Sequence, residues 1–182
     1  MGNTYVVSDT HFVNSYHKDN RYREYINRWN TAVRPTDTVI HLGDVCSPTT
    51  SEKVLAILDE LNGEKLLILG NHDGMWQNVE CRNLKRYFTK IYTHYKIDDV
   101  LLTHAPVCPT WKEWHSVGGQ LLDIPNLLKT IGNIRLNIHG HFHHHGTTKF
   151  EKRNAYHHRS TPYKMFCVHH TPTLLEEIIS IL

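Results

Sequence analysis

The chain has 182 residues, 40% of them hydrophobic and 10% aromatic, with 20 basic against 18 acidic side chains. That composition supports one folded domain, taken as residues 1–182, and argues against intrinsic disorder. No apolar run reaches the roughly 18 residues of a membrane span, no charged-then-apolar leader opens the sequence, and a net charge of +2 falls short of a dedicated nucleic-acid binder.

A cytoplasmic protein is therefore expected. Its four cysteines, Cys46, Cys81, Cys108 and Cys167, form no C-x-x-C pair and read as reduced thiols. Sixteen histidines are the unusual feature. Imidazole is the commonest metal ligand, so their positions matter more than their number.

Thr4-Tyr5-Val6-Val7-Ser8 predicts a first strand, ended by Asp9-Thr10-His11. Tyr22, Ile26, Trp29 and Val33 then recur at helical spacing over about 19–33. Arg34-Pro35-Thr36-Asp37 is a turn, and Thr38 to Leu42 a second strand closed by Gly43-Asp44. Ser51 is placed to cap a helix with Val54, Leu55, Leu58 and Leu61 on its apolar face, stopped by Asn62-Gly63. Lys65 to Leu69 is a third strand, followed by Gly70-Asn71-His72-Asp73. A helix is expected over 77–88, then strands Ile91–Ile97 and Val100–Thr103 joined by a turn at Asp98-Asp99. Residues 106–118 are irregular. A helix near 121–131, a strand Arg135–His139, a polar histidine-rich stretch to about 163, a strand Lys164–Val168 and a helix from Leu174 complete the pattern. Strand–helix alternation of this kind predicts a layered α/β fold.

Polar clusters sit just past the strands: Asp9-x-His11, Gly43-Asp44, Gly70-Asn71-His72-Asp73, His104, and Gly140-His141-Phe142-His143. In α/β sheets the carboxyl ends of the strands are where ligands bind. Each cluster alone is an ordinary turn or a solvated histidine. Together they would bury many polar groups in one place, at about 1–3 kcal/mol for each one unsatisfied. Metal ions remove that cost. Asp9, His11, Asp44, Asn71, His104, His141 and His143 exceed the four ligands of a closed structural zinc site. With one carboxylate shared they suffice for two sites with room for water. Mixed imidazole and carboxylate donors suit Mn first, with Fe, Zn, Co or Ni as alternatives.

This ordered series resembles the calcineurin-like metallophosphoesterase superfamily. The local texture, Ser8-Asp9-Thr10-His11-Phe12 and His41-Leu42-Gly43-Asp44, is similar to its small bacterial and phage members. The motifs span residues 9–143, and the tail matches less well. Relatives often carry a histidine where Asn14 stands, so one substrate contact is expected to be missing. The resemblance implies two facing mixed β-sheets flanked by helices, a four-layer α-β-β-α sandwich. It also implies that Asp9, His11 and His143 hold a first metal, that Asn71, His104 and His141 hold a second, and that Asp44 bridges them.

Two such cations share a water, lower its pKa towards neutrality and supply hydroxide for in-line attack on phosphorus. His72 is the candidate acid for the leaving oxygen, with Asp73 orienting its ring; an eighth ligand is the alternative role for His72. Trp111, Trp114 and His115 are candidates for contact with a nucleobase, against the alternative that the tryptophans pack into the core. His41 and His139 lie inside strands and should point away from the ligands, with a supporting role open. His144, His145, His157, His158, His169 and His170 read as surface residues, and Cys46 and Cys108 as packing.

The function expected is therefore a metal-dependent phosphoesterase acting on a small phosphodiester such as a nucleotide or cyclic nucleotide. The alternatives are a phosphomonoesterase or nuclease on the same site, a non-catalytic scaffold of the same fold, or a mononuclear metal protein. No membrane partner is expected, and a long nucleic acid is disfavoured.

Overall fold

The computed structural model describes residues 2–12, 21–45, 52–73, 85–108, 116–117, 120–121, 123–142 and 155–180. The first half supplies β1 (Thr4–Val7), α1 (Arg21–Ala32), β2 (Thr38–His41), α2 (Glu52–Glu60), β3 (Glu64–Ile68) and β4 (Lys90–Tyr92). The second half supplies β5 (Tyr95–Ile97), β6 (Val100–Leu102), β7 (Ser116–Val117), β8 (Gln120–Leu121), α3 (Ile124–Ile131), β9 (Leu136–His139), β10 (Ala155–His157), β11 (Lys164–Cys167), β12 (Thr173–Leu174) and α4 (Leu175–Ser180).

Two mixed five-stranded sheets result. One has the order β12-β1-β2-β3-β4, with β1 to β4 parallel and β12 antiparallel to β1. The other has the order β10-β11-β9-β6-β5, with β11, β9 and β6 parallel and both edge strands antiparallel. Strand alternation decides what each face buries. Val6, Ile40 and Ile68 meet Val100, Leu102, Leu136, Ile138 and Phe166 between the sheets. Their neighbours Val7, Val39 and Leu67 point the other way, onto Ile26, Trp29, Val54 and Leu58 of α1 and α2. Leu101 faces outward from the second sheet onto Ile124 and Leu127 of α3. The order of layers is thus helix, sheet, sheet, helix. Each fully buried aliphatic side chain in these layers contributes about 1.5–3 kcal/mol.

The connections are tied by polar side chains. Trp29 Nε1 donates to the Asn62 carbonyl (3.0 Å), and Asn30 exchanges hydrogen bonds with Asn62 N–H and the Glu60 carbonyl. Asp37 is buried in the turn before β2 and accepts from the Asn3 and Arg34 N–H groups, each at 2.8 Å. The Arg34 N–H bond outweighs burial and, with the Asn3 bond and the Arg34 guanidinium, holds the Asp37 carboxyl below its usual range.

The elements depart from the sequence expectations at several points, and residues 116–117, expected to be irregular, pair antiparallel with 120–121. The run Ile91–Ile97 is two strands, not one. The chain breaks at Thr93-His94, so β4 closes the first sheet and β5 opens the edge of the second, with Tyr92 and Tyr95 stacked at 4.8 Å across the break. Residues 155–157, expected to be irregular, pair antiparallel with β11. The helix expected near 121 starts at Ile124, because Asp123 caps it by accepting from Asn126 N–H and Pro125 follows. Most of the helix expected over 77–88 lies outside the described residues, as does Ser51, the expected cap of α2.

Candidate metal centre

The parallel strands of both sheets end on the same side, and their exit loops meet there. Asp9 and His11 follow β1, Asp44 follows β2, Asn71 to Asp73 follow β3, His104 follows β6, and His141 follows β9. Backbone hydrogen bonds lock the loops together. Asp9 N–H bonds Gly43 O, His11 N–H bonds Asp44 O, and Phe12 N–H bonds Val45 O, at 2.9–3.0 Å. Gly140 N–H on His104 O (2.8 Å) ties the β9 and β6 exits within the second sheet, and His141 N–H on Asp9 Oδ2 (2.8 Å) joins the two sheets.

These loops hold strained backbone. Among the described residues, left-handed φ outside glycine occurs at Asp9 (55°), His11 (39°), Asp44 (56°), His141 (71°) and Asp98 (51°). Asp98 sits in the β5–β6 turn, and the others carry the candidate donors. Asp and His tolerate this region better than most residues, but each instance costs about 1–3 kcal/mol unless its surroundings over-determine it. Gly43 has φ 96° and packs its Cα against Gly70, where a side chain would strike the backbone. Gly140 lies against the side chains of Ser8 and Asp9, where an added Cβ would strike Ser8 Oγ and Asp9 Oδ2. The glycines flanking the polar residues let the loops close to this spacing.

Two donor groups form. Asp9, His11 and Asp44 make one, and Asp44, His104 and His141 the other; within each, the ligand atoms lie within 4.8 Å of one another. Asp44 belongs to both. Its Oδ2 lies 3.7 Å from His11 Nε2 and 3.4 Å from His104 Nε2. Asn71 Oδ1 joins the second group at 2.9 Å from His104 Nε2, and His141 Nδ1 stands 3.1 Å from the same nitrogen.

The hydrogen bonds of His104 show what such a group needs. Its Nδ1 is 2.8 Å from the Leu42 carbonyl, which can only accept, so Nδ1 carries the proton. In the neutral ring, Nε2 then presents a lone pair to Asn71 Oδ1 and Asp44 Oδ2, both acceptors. Acceptors facing one another at this distance call for a positive charge between them. Burial opposes protonation of His104, yet the Asp44 carboxylate prevails and lifts its pKa to about 9. Burial likewise opposes ionisation of Asp44, but its contacts with His104 and the His72 N–H hold its carboxyl well below the usual range. The donors are mixed nitrogen and oxygen, their lone pairs converge, and His104 has the tautomer set by an outer carbonyl. The residues fit divalent transition metals.

His72 stands beside these groups and belongs to neither. Its N–H donates to Asp44 Oδ1 (2.9 Å). Its side chain is 43% exposed, with Nε2 3.9 Å from Asp44 Oδ2 and its ring edge-on to His11 at 5.3 Å. Asp73 is placed differently from the sequence expectation. It is buried, and its carboxylate accepts from the N–H groups of Gly70, Asp44 and Val45 at 2.7–2.9 Å. No hydrogen bond joins it to the His72 ring. The reason is physical: the Asp73 carboxylate turns inward, where one amide of its own loop and two of the β2 exit lie within reach, so it clasps the β2 and β3 exits instead of orienting an imidazole. Burial and the charge of Asp44 push its pKa up to about 6.

His143, Trp111, Trp114 and His115 lie outside the described residues, as do Asn14, His144, His145, Cys46 and Cys81. His41 is buried on the helix side of β2, edge-on to Phe88, and burial lowers its pKa to about 3. His139 is buried, with Nδ1 2.8 Å from Gly140 O. Cys108 and Cys167 are buried thiols that form no disulfide with one another. His157 and His170 are exposed, while His158 and His169 are half-buried; His158 packs on Cys108 Sγ at 3.3 Å. Thr10 was missed. Its hydroxyl ties the first two loops, and nothing in an Asp-Thr-His triplet marks that role.

Comparison with known proteins agrees with this geometry. The family model described as the Calcineurin-like phosphoesterase superfamily domain matches residues 3–158. An uncharacterised protein of Methanocaldococcus jannaschii is 38% identical over 84 residues, which is 40% of this chain and 48% of the relative. The Gene 66 protein of Mycobacterium phage L5 is 31% identical over 96 residues, 43% of this chain and 46% of the relative. The chain thus spans about half the length of these curated relatives. A crystal structure of a protein of unknown function from Aquifex aeolicus shares the fold over 100% of both chains, with a TM-score of 0.68 at 22% identity. The chain belongs to the calcineurin-like phosphoesterase superfamily.

Proposed function

We propose that the chain is a dinuclear metal-dependent phosphodiesterase acting on a small substrate such as a nucleotide diester or cyclic nucleotide. The observation that carries this reading is Asp44, whose carboxylate belongs to both donor groups while the exposed imidazole of His72 stands beside it. Asp9, His11 and Asp44 would hold one ion, joined by His143 from the sequence pattern. Asp44, Asn71, His104 and His141 would hold the other. When bound, the ions supply the charge that deprotonates a shared water and offsets charge gained on the phosphoryl oxygens; manganese is the first choice of metal, with Fe, Zn, Co or Ni as alternatives.

The protein's own groups do the rest. His104 is pinned through Nδ1 by Leu42 O, so its Nε2 stays aimed at the centre. As water oxygen bonds to phosphorus and the ester P–O bond breaks, His72 gives its proton to the departing oxygen. A poor alkoxide leaving group needs that proton most, which favours diesters of nucleosides over activated esters. Trp111, Trp114 and His115 would meet the base.

A hydrolysis panel tests this reading. Cyclic nucleotides, linear dinucleotides and nucleoside monophosphates are incubated with the metal-stripped chain and Mn2+, with chelator as control. Diester cleavage that depends on metal supports the proposal. Turnover of monoesters alone, or turnover indifferent to chelator, overturns it.

A further inference from the structure

The loops that carry Asp9, His11 and Asp44 share a hydrogen-bond chain that ends on no ligand. Gly43 N–H donates to His41 Nδ1 at 3.1 Å, so that nitrogen is the acceptor and Nε2 carries the proton. His41 Nε2 lies 3.0 Å from Thr10 Oγ1, and the Thr10 hydroxyl donates in turn to the Val45 carbonyl at 3.0 Å. Every donor and acceptor along this path has one consistent direction. The chain starts at Gly43 and ends at Val45, on either side of Asp44, and turns at Thr10, between Asp9 and His11. It sits on the helix side of the first sheet, away from His104 and His141.

We propose that Thr10 and His41 are positioning residues that set the Asp9–His11–Asp44 donor group more strongly than the Asp44–His104–His141 group. The inference rests on the metal-binding reading above. Its physical basis is the backbone. Asp9, His11 and Asp44 have φ of 55°, 39° and 56°, conformations that persist only where neighbouring contacts hold them. Thr10 is the one residue between the two strained donors of the β1 exit. Its hydroxyl links that loop to the β2 exit through both His41 and Val45, beside the longer Ser8 Oγ bond to Leu42 O. Loss of the hydroxyl frees the Asp9–His11 segment to relax, which spreads the donor atoms. The second group shares Asp44, and its His141 N–H rests on Asp9 Oδ2, but His104 is anchored outside this path by Leu42 O and flanked by Asn71 Oδ1, so it is held more firmly.

Calorimetric titration of the metal-stripped chain with MnCl2 tests the inference. His11→Ala and His141→Ala first identify which binding step belongs to which donor group. Thr10→Val keeps the shape and removes the hydroxyl; Thr10→Ser keeps the hydroxyl. We expect Thr10→Val to weaken the step lost in His11→Ala by about tenfold, the lower end for partners lying outside a metal's ligands, with a clearly smaller loss at the other step. His41→Phe should weaken the same step, and Thr10→Ser should bind as wild type does. Thr10→Val that lowers the melting temperature without changing either step would show a merely structural hydroxyl and overturn the inference. So would equal weakening of both steps, or Thr10→Ser as weak as Thr10→Val. Wild-type protein that takes up no Mn2+ would instead overturn the metal-binding reading itself.

Discussion

Asn137 lies within β9 and Asn71 just beyond β3, and the two amides are used in opposite ways. Asn137 is fully buried between Leu101 and α3's side of the second sheet. Its Oδ1 accepts from Val107 N–H (2.8 Å), and its Nδ2 donates to Leu101 O (3.1 Å) and Thr103 Oγ1 (2.9 Å). Every polar atom has a complementary partner. Asn71 instead turns its Oδ1 to His104 Nε2, an atom that also faces Asp44 Oδ2. The first amide closes a structure. The second is held in an arrangement that a cation completes. Buried polarity is therefore no sign of function by itself; what distinguishes a ligand is that its neighbours present the same kind of atom.

This contrast can be broken or sharpened by substitution. The largest effect is expected at Asp44, which serves both donor groups. Asp44→Ala should abolish both Mn2+ binding steps and cut metal-dependent turnover by about a thousandfold or more, several kcal/mol of lost charge stabilisation. Titration and rate measurements would check this together, and two ions retained at wild-type affinity would contradict the shared role. Next comes His72. His72→Ala should keep both binding steps yet lose about 10²–10³-fold on an alkyl diester, with a much smaller loss on a nitrophenyl ester. Equal losses on the two substrates would remove His72 from the acid role.

The two asparagines themselves follow. Asn137→Ala leaves the Val107 N–H unpaired in the interior, so the metal-free chain should lose about 1–3 kcal/mol of stability in denaturant unfolding. Its Mn2+ affinity should stay near wild type. Asn71→Leu should do the reverse: unchanged or raised stability without metal, and about tenfold weaker binding at one step. A stability loss from Asn71→Leu as large as that from Asn137→Ala would erase the distinction.

Much of this was legible in the residues. Each ligand block follows its own apolar run, so Asp9, Asp44, Asn71, His104 and His141 could be assigned to strand ends before any coordinates. The layer order came from the family resemblance, while alternation explains why Val6 turns to the other sheet and Val7 to the helices. Less legible were features set by distant partners. Asp73 read as a ring-orienting carboxylate because it adjoins His72, but its amide partners come from 28 and 29 residues away as well as from its own loop. The break at Thr93-His94 leaves both flanks β-prone, so local composition could not show that they join different sheets. Ala155-Tyr156-His157 is too short to signal a strand, and β11 supplies the edge that makes it one. Thr10 carries no signal at all, since its value lies in reaching His41.

The smallest effect concerns the turn before β2, far from any donor group. The folded Asp37 carboxyl is held below its unfolded pKa, chiefly by the Arg34 N–H bond. It therefore contributes stability above the unfolded value of about 3.9, and that contribution fades as pH falls through the lower folded value. Asp37→Asn should flatten this part of the stability–pH curve, measured by denaturant unfolding of the metal-free chain. An unaltered slope would show that the carboxyl charge has no such role.

The central claim is that these loops hold two cations with Asp44 between them. The direct measurement is anomalous scattering from a crystal of this chain grown with manganese. The account predicts two peaks about 3.5–4 Å apart, the spacing of two-metal hydrolytic sites, one beside Asp9 and His11 and one beside His104 and His141, each reaching Asp44. A single peak, or density at neither donor group, would contradict it.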